Sequence, residues 1–257
     1  MNRANARISS STSTIDNPPR LHNSGAFLIG AAMLAPLLLA TTHASAQAPD
    51  LQQKLAAVKQ SIAENQQKLR QYQWTETTQL TLNGNAKPPS QSLCQYGPDG
   101  TVQKTPLGPP PAPPSGGRMK QRIIEKKTGE MKDYMGQVKT LLALYVPPNP
   151  QKMEQAFQAG KASLNPSPDS GTTNLVFKDY AQPGDQMTLT FNAATKKIAA
   201  LNVNTYMDNP QDIVTLAVQF ASLPDSTNYV AQSVLNATAK KLVVTTSNAN
   251  YQKLGGQ

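Results

Sequence analysis

The hydrophobic period of this chain changes at Tyr72, and that change restricts the fold more than any other feature. Upstream, Leu51, Leu55, Val58, Ile62, Leu69 and Tyr72 recur at spacings of three, four and seven, opposite a face of Gln, Lys and Glu. This spacing predicts an amphipathic helix to about Gln71, with residues 47–50 as a tether and Asp50 as its N-cap. Downstream, Trp74, Glu76, Thr78, Leu80 and Leu82 alternate with Gln73, Thr75, Thr77, Gln79 and Thr81. A period of two in Thr- and Trp-rich sequence predicts a strand. The helix is expected to lie on the domain's own sheet; a partner-binding or membrane-surface helix is the alternative.

Further along, Asn83-Gly84 is a hairpin signal, and Gly97-Pro98-Asp99-Gly100 marks a second turn. Strands near Ser90–Tyr96 and Thr101–Thr105 complete an antiparallel meander. Residues 106–117 read PLGPPPAPPSGG, an extended surface spacer or a proline-rich docking motif. A second helical region follows from Arg118 to Tyr145, with Met119, Ile123, Met131, Met135, Val138, Leu142 and Tyr145 as its apolar positions. Gly129 and Gly136 weaken it, and a break is expected near Thr128-Gly129. Pro147-Pro148 ends it, and Asn149-Pro150 starts a short helix with Met153, Ala156 and Phe157 facing inward. Strands are expected at Thr173–Asp179, Asp185–Asn192, Lys197–Tyr206 and Leu242–Ser247. For Ile213–Phe220 the clean alternation of Val214, Leu216, Val218 and Phe220 favours strand, although Asn209-Pro210 would suit a helix start.

The first 46 residues read as a targeting segment. Arg3, Arg7 and Arg20 precede an uncharged apolar run, Ala26–Ala40, and Ala44-Ser45-Ala46 offers the small-x-small pattern of a signal peptidase site. The run is short beside the roughly 20 residues of a membrane span. Cleavage after Ala46 takes away His22 and His43, the only histidines, and leaves a basic chain for the periplasm or the exterior, soluble once cut. Cys94 is the single cysteine, so no internal disulfide forms and stability must come from a core. A buried, small apolar role suits it; a reactive thiol or an intermolecular bridge is the alternative.

No dinucleotide fingerprint, P-loop, nucleophile elbow or zinc-protease motif is present, and no Cys/His cluster can hold zinc or copper. No cofactor and no metal are therefore expected, and histidine-dependent catalysis is excluded in the cleaved chain. Glu76, beside Trp74 on one strand face, is the best candidate for carboxylate chemistry. Arg118, Lys120, Arg122, Lys126, Lys127 and Lys132 form a basic cluster around Glu125 and Glu130. It is either a solvated helix face or a contact for anionic lipid head groups or an acidic partner. Without interleaved aromatics, nucleic acid is not an expected partner.

The helix Leu51–Tyr72 running straight into Trp74-x-Glu76-x-Thr78-x-Leu80, followed by hairpins, an inserted helical region and further antiparallel strands, resembles the periplasmic lipoprotein-carrier superfamily. That group holds the LolA-like carriers and related sensor domains of the envelope stress system. The proline-rich loop is a departure from it. The resemblance implies an α+β fold: a curved, half-barrel-like antiparallel sheet with the N-terminal helix and the inserted helical region on one face. It also implies a non-catalytic protein holding a lipid or a lipoprotein acyl chain in an apolar cavity. Trp74, Leu80, Leu82, Met135, Val138 and Leu142 are the expected lining. The alternatives are an envelope interaction or structural protein with a solid core, and a carboxylate-dependent hydrolase. A continuous apolar cavity of roughly 300 Å³ or more separates the first reading from the second. The oligomeric state is left open.

Exported protein is expected to begin at Gln47. N-terminal sequencing checks this, and a chain retaining Phe27–Leu39 would refute it and restore both histidines.

Overall fold

The computed structural model describes residues 47–109, 117–167 and 171–255. The targeting segment and its cleavage site, residues 110–116 of the proline-rich loop and the side chain of Lys120 lie outside the described residues. A long helix, α1 (Gln47–Leu69), runs into β1 (Tyr72–Leu82), then β2 (Asn85–Ala86), β3 (Ser90–Tyr96) and β4 (Val102–Pro106). Two helices follow, α2 (Arg118–Leu142) and α3 (Pro150–Gln158). The remainder is strand apart from one turn of 3-10 helix, Thr238–Lys240, before the last strand: β5 (Ala162–Pro166), β6 (Thr172–Lys178), β7 (Gln186–Asn192), β8 (Lys197–Tyr206), β9 (Ile213–Ser222), β10 (Asn228–Ala237) and β11 (Leu242–Lys253).

The strands form a single antiparallel sheet in the order β4-β3-β1-β11-β10-β9-β8-β7-β6-β5, with β2 paired to β1. The fold is α+β, as expected. Most neighbours are sequential hairpins, but β11 pairs with β1 and joins the two meanders. Bulges between Gln73 and Thr75, Thr190 and Phe191, and Val230 and Gln232 bend the strands. β4 and β5 lie at opposite ends of the order, so the α2–α3 connection must travel from one margin of the sheet to the other. The core lies on the inner face. There Leu51, Leu55 and Val58 of α1, Tyr134 and Val138 of α2, and Met153 and Ala156 of α3 meet Leu175, Phe177, Met187, Leu189, Leu201 and Val218 of the sheet.

Several local expectations need correction. Residues 47–50 belong to α1 itself, and Asp50 lies in its first turn, paired with Lys54 rather than capping the helix. Pro49 is no obstacle there, because first-turn N–H groups have no partner within the helix. α2 passes through Gly129 and Gly136 unbroken. A glycine costs only about 1 kcal/mol in a helix, and the buried anchors Tyr134 and Val138 offset it. β5 and β10 were not foreseen. β5 is a short margin strand with Asn165 and Pro166, a composition that reads as turn. In β10 the bulge after Val230 breaks the alternation, so the inward positions pass from Val230 to Leu235 and Ala237. β11 extends beyond Ser247 through polar sequence to Lys253. By contrast, Ile213–Phe220 is strand, and Asn149 caps α3 by accepting from the N–H groups of Gln151 and Lys152 at 2.8 and 3.2 Å.

Asp185 fastens the chain just beyond α2 to the sheet. It is 2% exposed. Its carboxylate accepts from the backbone N–H groups of Tyr180, Ala181 and Gln182 and from the Tyr145 hydroxyl. Tyr145, fully buried just beyond α2, shares a 2.8 Å hydrogen bond with Thr205 of β8. Burial pushes the Tyr145 hydroxyl above its usual range, and the hydrogen bond to Asp185 adds to the rise. Replacing Asp185 with Asn puts an amide N–H₂ against these donors. Asp185→Asn is expected to lose about 3 kcal/mol of stability in urea denaturation.

Candidate functional site

The packing of α1 changes along its length. Leu51, Leu55 and Val58 are 6%, 1% and 0% exposed, whereas Ile62 and Leu69 are only half-buried. Where the apolar stripe would continue between them stand Asn65 and Gln66. Asn65 meets the backbone of Asn228 at the start of β10: it accepts from the Asn228 N–H and donates to the Asn228 carbonyl, both at 2.6 Å. The Asn228 side chain in turn donates to the Ile198 carbonyl at 2.8 Å. A polar bridge thus replaces apolar contact at the C-terminal half of the helix.

Beneath that half lies a half-enclosed cavity of about 440 Å³. Ile62 and Leu69 form its roof, Leu201, Val218, Phe220 and Val230 its floor, and Val146–Pro148 and the β3–β4 turn its sides. The polar groups on its walls are Ser61, Asn65, Gln66, Arg70, Tyr96 and Asn228; among the described residues no carboxylate, histidine or cysteine lines it. Gly100 is needed at one side. Its φ is +79°, and a Cβ there would come 2.7 Å from the Arg70 guanidinium. Burial raises the Tyr96 hydroxyl above its usual range, and the nearby Arg70 partly opposes the rise.

A second, more open groove of about 870 Å³ runs between α2 and the far end of β1. Leu80, Leu82 and Met135, three of the residues expected to bind ligand, line it together. The other three are elsewhere. Val138 is 1% exposed within the core, and Leu142 packs against that core. Trp74 is covered: its ring stacks on Tyr251 at 5.5 Å and 10°, Tyr96 lies against it at 5.5 Å, and its N–H donates to Asn248 at 3.0 Å. The six expected residues therefore do not converge on one cavity. The enclosed cavity's floor, from Leu201 to Val230, was missed. The signal that points to it is the polar interruption at Asn65-Gln66 in an otherwise apolar helical stripe.

Glu76 is ion-paired with Lys104 of β4 and accepts from Thr78 at 3.2 Å. Cys94 is fully buried, as expected, and burial followed by the nearby Glu76 charge pushes its thiol up, so it is a poor nucleophile. In the basic cluster Arg118, Arg122, Lys126, Lys127 and Lys132 are all exposed, with Lys126 4.0 Å from Glu130. Met119 and Ile123 beside them are 84% and 56% exposed.

No family model and no curated protein matches the chain. Among solved structures it is similar to a DUF1329 family protein from Desulfovibrio piger, with 6% identity and a TM-score of 0.39 over 80% of this chain and 94% of that one. It is also similar to a proposed outer membrane lipoprotein-sorting protein domain from Vibrio parahaemolyticus, with 7% identity, TM-score 0.38 and coverage of 80% and 94%. A LolA superfamily protein from Nitrosomonas europaea shows 9% identity, TM-score 0.33 and coverage of 77% and 94%.

Asn65→Ala leaves the N–H and carbonyl of Asn228, a residue 8% exposed, without these partners. The variant is expected to lose about 2 kcal/mol in urea denaturation. An unchanged midpoint would mean that the bridge does not hold the helix.

Proposed function

We propose that this chain is an exported, non-catalytic binding protein that holds an apolar or amphipathic ligand, such as a lipid or a lipoprotein acyl chain, beneath α1. The observation that carries the reading is the apolar cavity of about 440 Å³. It exceeds the roughly 300 Å³ at which small-ligand sites begin. Its walls offer a mostly apolar surface with a few polar groups near Asn65 and Arg70, which suits a ligand with one polar end. Catalysis has little to work with: among the described residues no carboxylate, histidine or cysteine lines the cavity, Glu76 is neutralised by Lys104, and Asp185 is saturated with donors.

A contact with anionic membrane surfaces extends this reading. At the start of α2, the exposed Met119 and Ile123 sit beside Arg118, Arg122 and Lys126. Apolar side chains among cations are the composition of an interfacial helix. No helix among the described residues is long and apolar enough to cross a membrane.

Binding of the uncharged fluorophore N-phenylnaphthylamine tests the cavity. Val230→Trp fills it from the floor and Ile62→Trp from the roof. Each is expected to weaken binding at least about tenfold, the scale of losing one or two kcal/mol of apolar burial, while circular dichroism stays native. Unchanged binding in folded variants would sink the carrier reading in favour of an interaction protein.

A further inference from the structure

The groove between α2 and β1 differs from the enclosed cavity in one respect that decides its ligand. Its floor is apolar, made by Leu80, Leu82, Ile124, Met131 and Met135. Its rim carries Lys87, Lys127, Lys132, Lys240 and Lys241. These lysines come from three separate parts of the fold: the β2–β3 connection, α2, and the turn of 3-10 helix before β11. All five are exposed, and none forms an ion pair among the described residues. Lys240 rests over the Tyr134 ring at 5.6 Å. Among the described residues Glu130 is the only acidic one on the groove, and Lys126, outside it, lies 4.0 Å from that carboxylate.

Five like charges around one apolar floor repel one another, and the single carboxylate of Glu130, which also faces Lys126, cannot balance them. An acyl chain on the floor with an anionic head at the rim satisfies both features. The lysine ammonium groups suit a small carboxylate as mobile point charges, and among the described residues no arginine lines the groove to impose a planar fork. We infer that this groove is a second binding site, separate from the cavity under α1, for a monomeric long-chain fatty acid held by its chain on Leu80, Leu82 and Met135 and by its carboxylate among Lys127, Lys132 and Lys241. The thioethers of Met131 and Met135 adapt to a flexible chain. The inference does not depend on whether the enclosed cavity is occupied.

Protein purified from cells expressing all 257 residues is titrated with oleate, below its self-association concentration, and with the zwitterionic lysophosphatidylcholine bearing the same chain. At low salt oleate is expected to bind at least about tenfold more tightly, and the gap to close as salt rises, because exposed charges are screened within about 10 Å at 0.1 M. The triple variant Lys127→Gln, Lys132→Gln, Lys241→Gln, all at exposed positions, is expected to abolish the preference for oleate and keep the native melting temperature. Glu130→Gln is expected to tighten oleate binding. Leu80→Trp weakens both ligands, with Met135→Trp as a second variant from the opposite wall. Val230→Trp, in the other cavity, leaves oleate binding unchanged. Equal affinity for the two ligands at low salt, or a triple variant that keeps the oleate preference, overturns the inference. Loss of oleate binding in Val230→Trp also overturns it, by moving the ligand beneath α1.

Discussion

The architecture turns on how α1 meets the inner face of the sheet. A sheet with one apolar face is stable only when that face is covered, and α1 begins the task with Leu51, Leu55 and Val58. Each such side chain contributes on the order of 2 kcal/mol through removal from water. From Asn65 onward the contact becomes a pair of backbone hydrogen bonds to Asn228. Those bonds have a fixed length and exclude closer approach. The helix therefore cannot settle onto Leu201, Val218 and Val230, and the cavity follows from substituting polar for apolar contact at one turn.

The sheet order imposes the second constraint. Because β4 and β5 stand at opposite ends, the segment between them must bridge the sheet, and it can do so only as helix or extended chain. It is held between its two helices by Tyr145 on Asp185, and within α2 by Tyr134, whose hydroxyl donates to Asp212 at 3.1 Å. Burial and that bond push the Tyr134 hydroxyl up to about 12. Its stabilising contribution is complete below the unfolded value near 10 and fades as pH climbs toward 12. Among the described side chains the early turns of α2 have no comparable anchor, and Met119 and Ile123 stand in solvent.

Much of this was legible in the residues. The period change at Tyr72, the Asn83-Gly84 turn, the Asn149 cap and the alternation of Val214–Phe220 each act locally, and each gave the right element. β10 was hidden because a bulge is a tertiary choice: it flips the inward phase at Val230 and makes a regular strand look irregular. The site was partly legible. Leu80, Leu82 and Met135 share a groove, but one helix face carries both core and groove residues, so Val138 and Leu142 could not be told apart from Met135 by period alone. Trp74 went to an aromatic stack because its partner Tyr251 arrives from the other end of the chain.

That distance in sequence has a consequence for the order in which the molecule can assemble. β11 lies between β1 and β10, with Tyr72 opposite Lys253 and Leu82 opposite Leu242. Until the final strand is in place, β1 has a bare margin, and the first meander has no bonded link to the second. Local hairpins can form early, but joining them requires closure of a loop that contains almost the whole domain, the slowest kind of contact to make. A chain emerging from its N-terminus would hold two unfinished sheets with exposed strand margins until β11 was free. β11 is a keystone: the sheet becomes continuous only once that strand has been made and has inserted between β1 and β10.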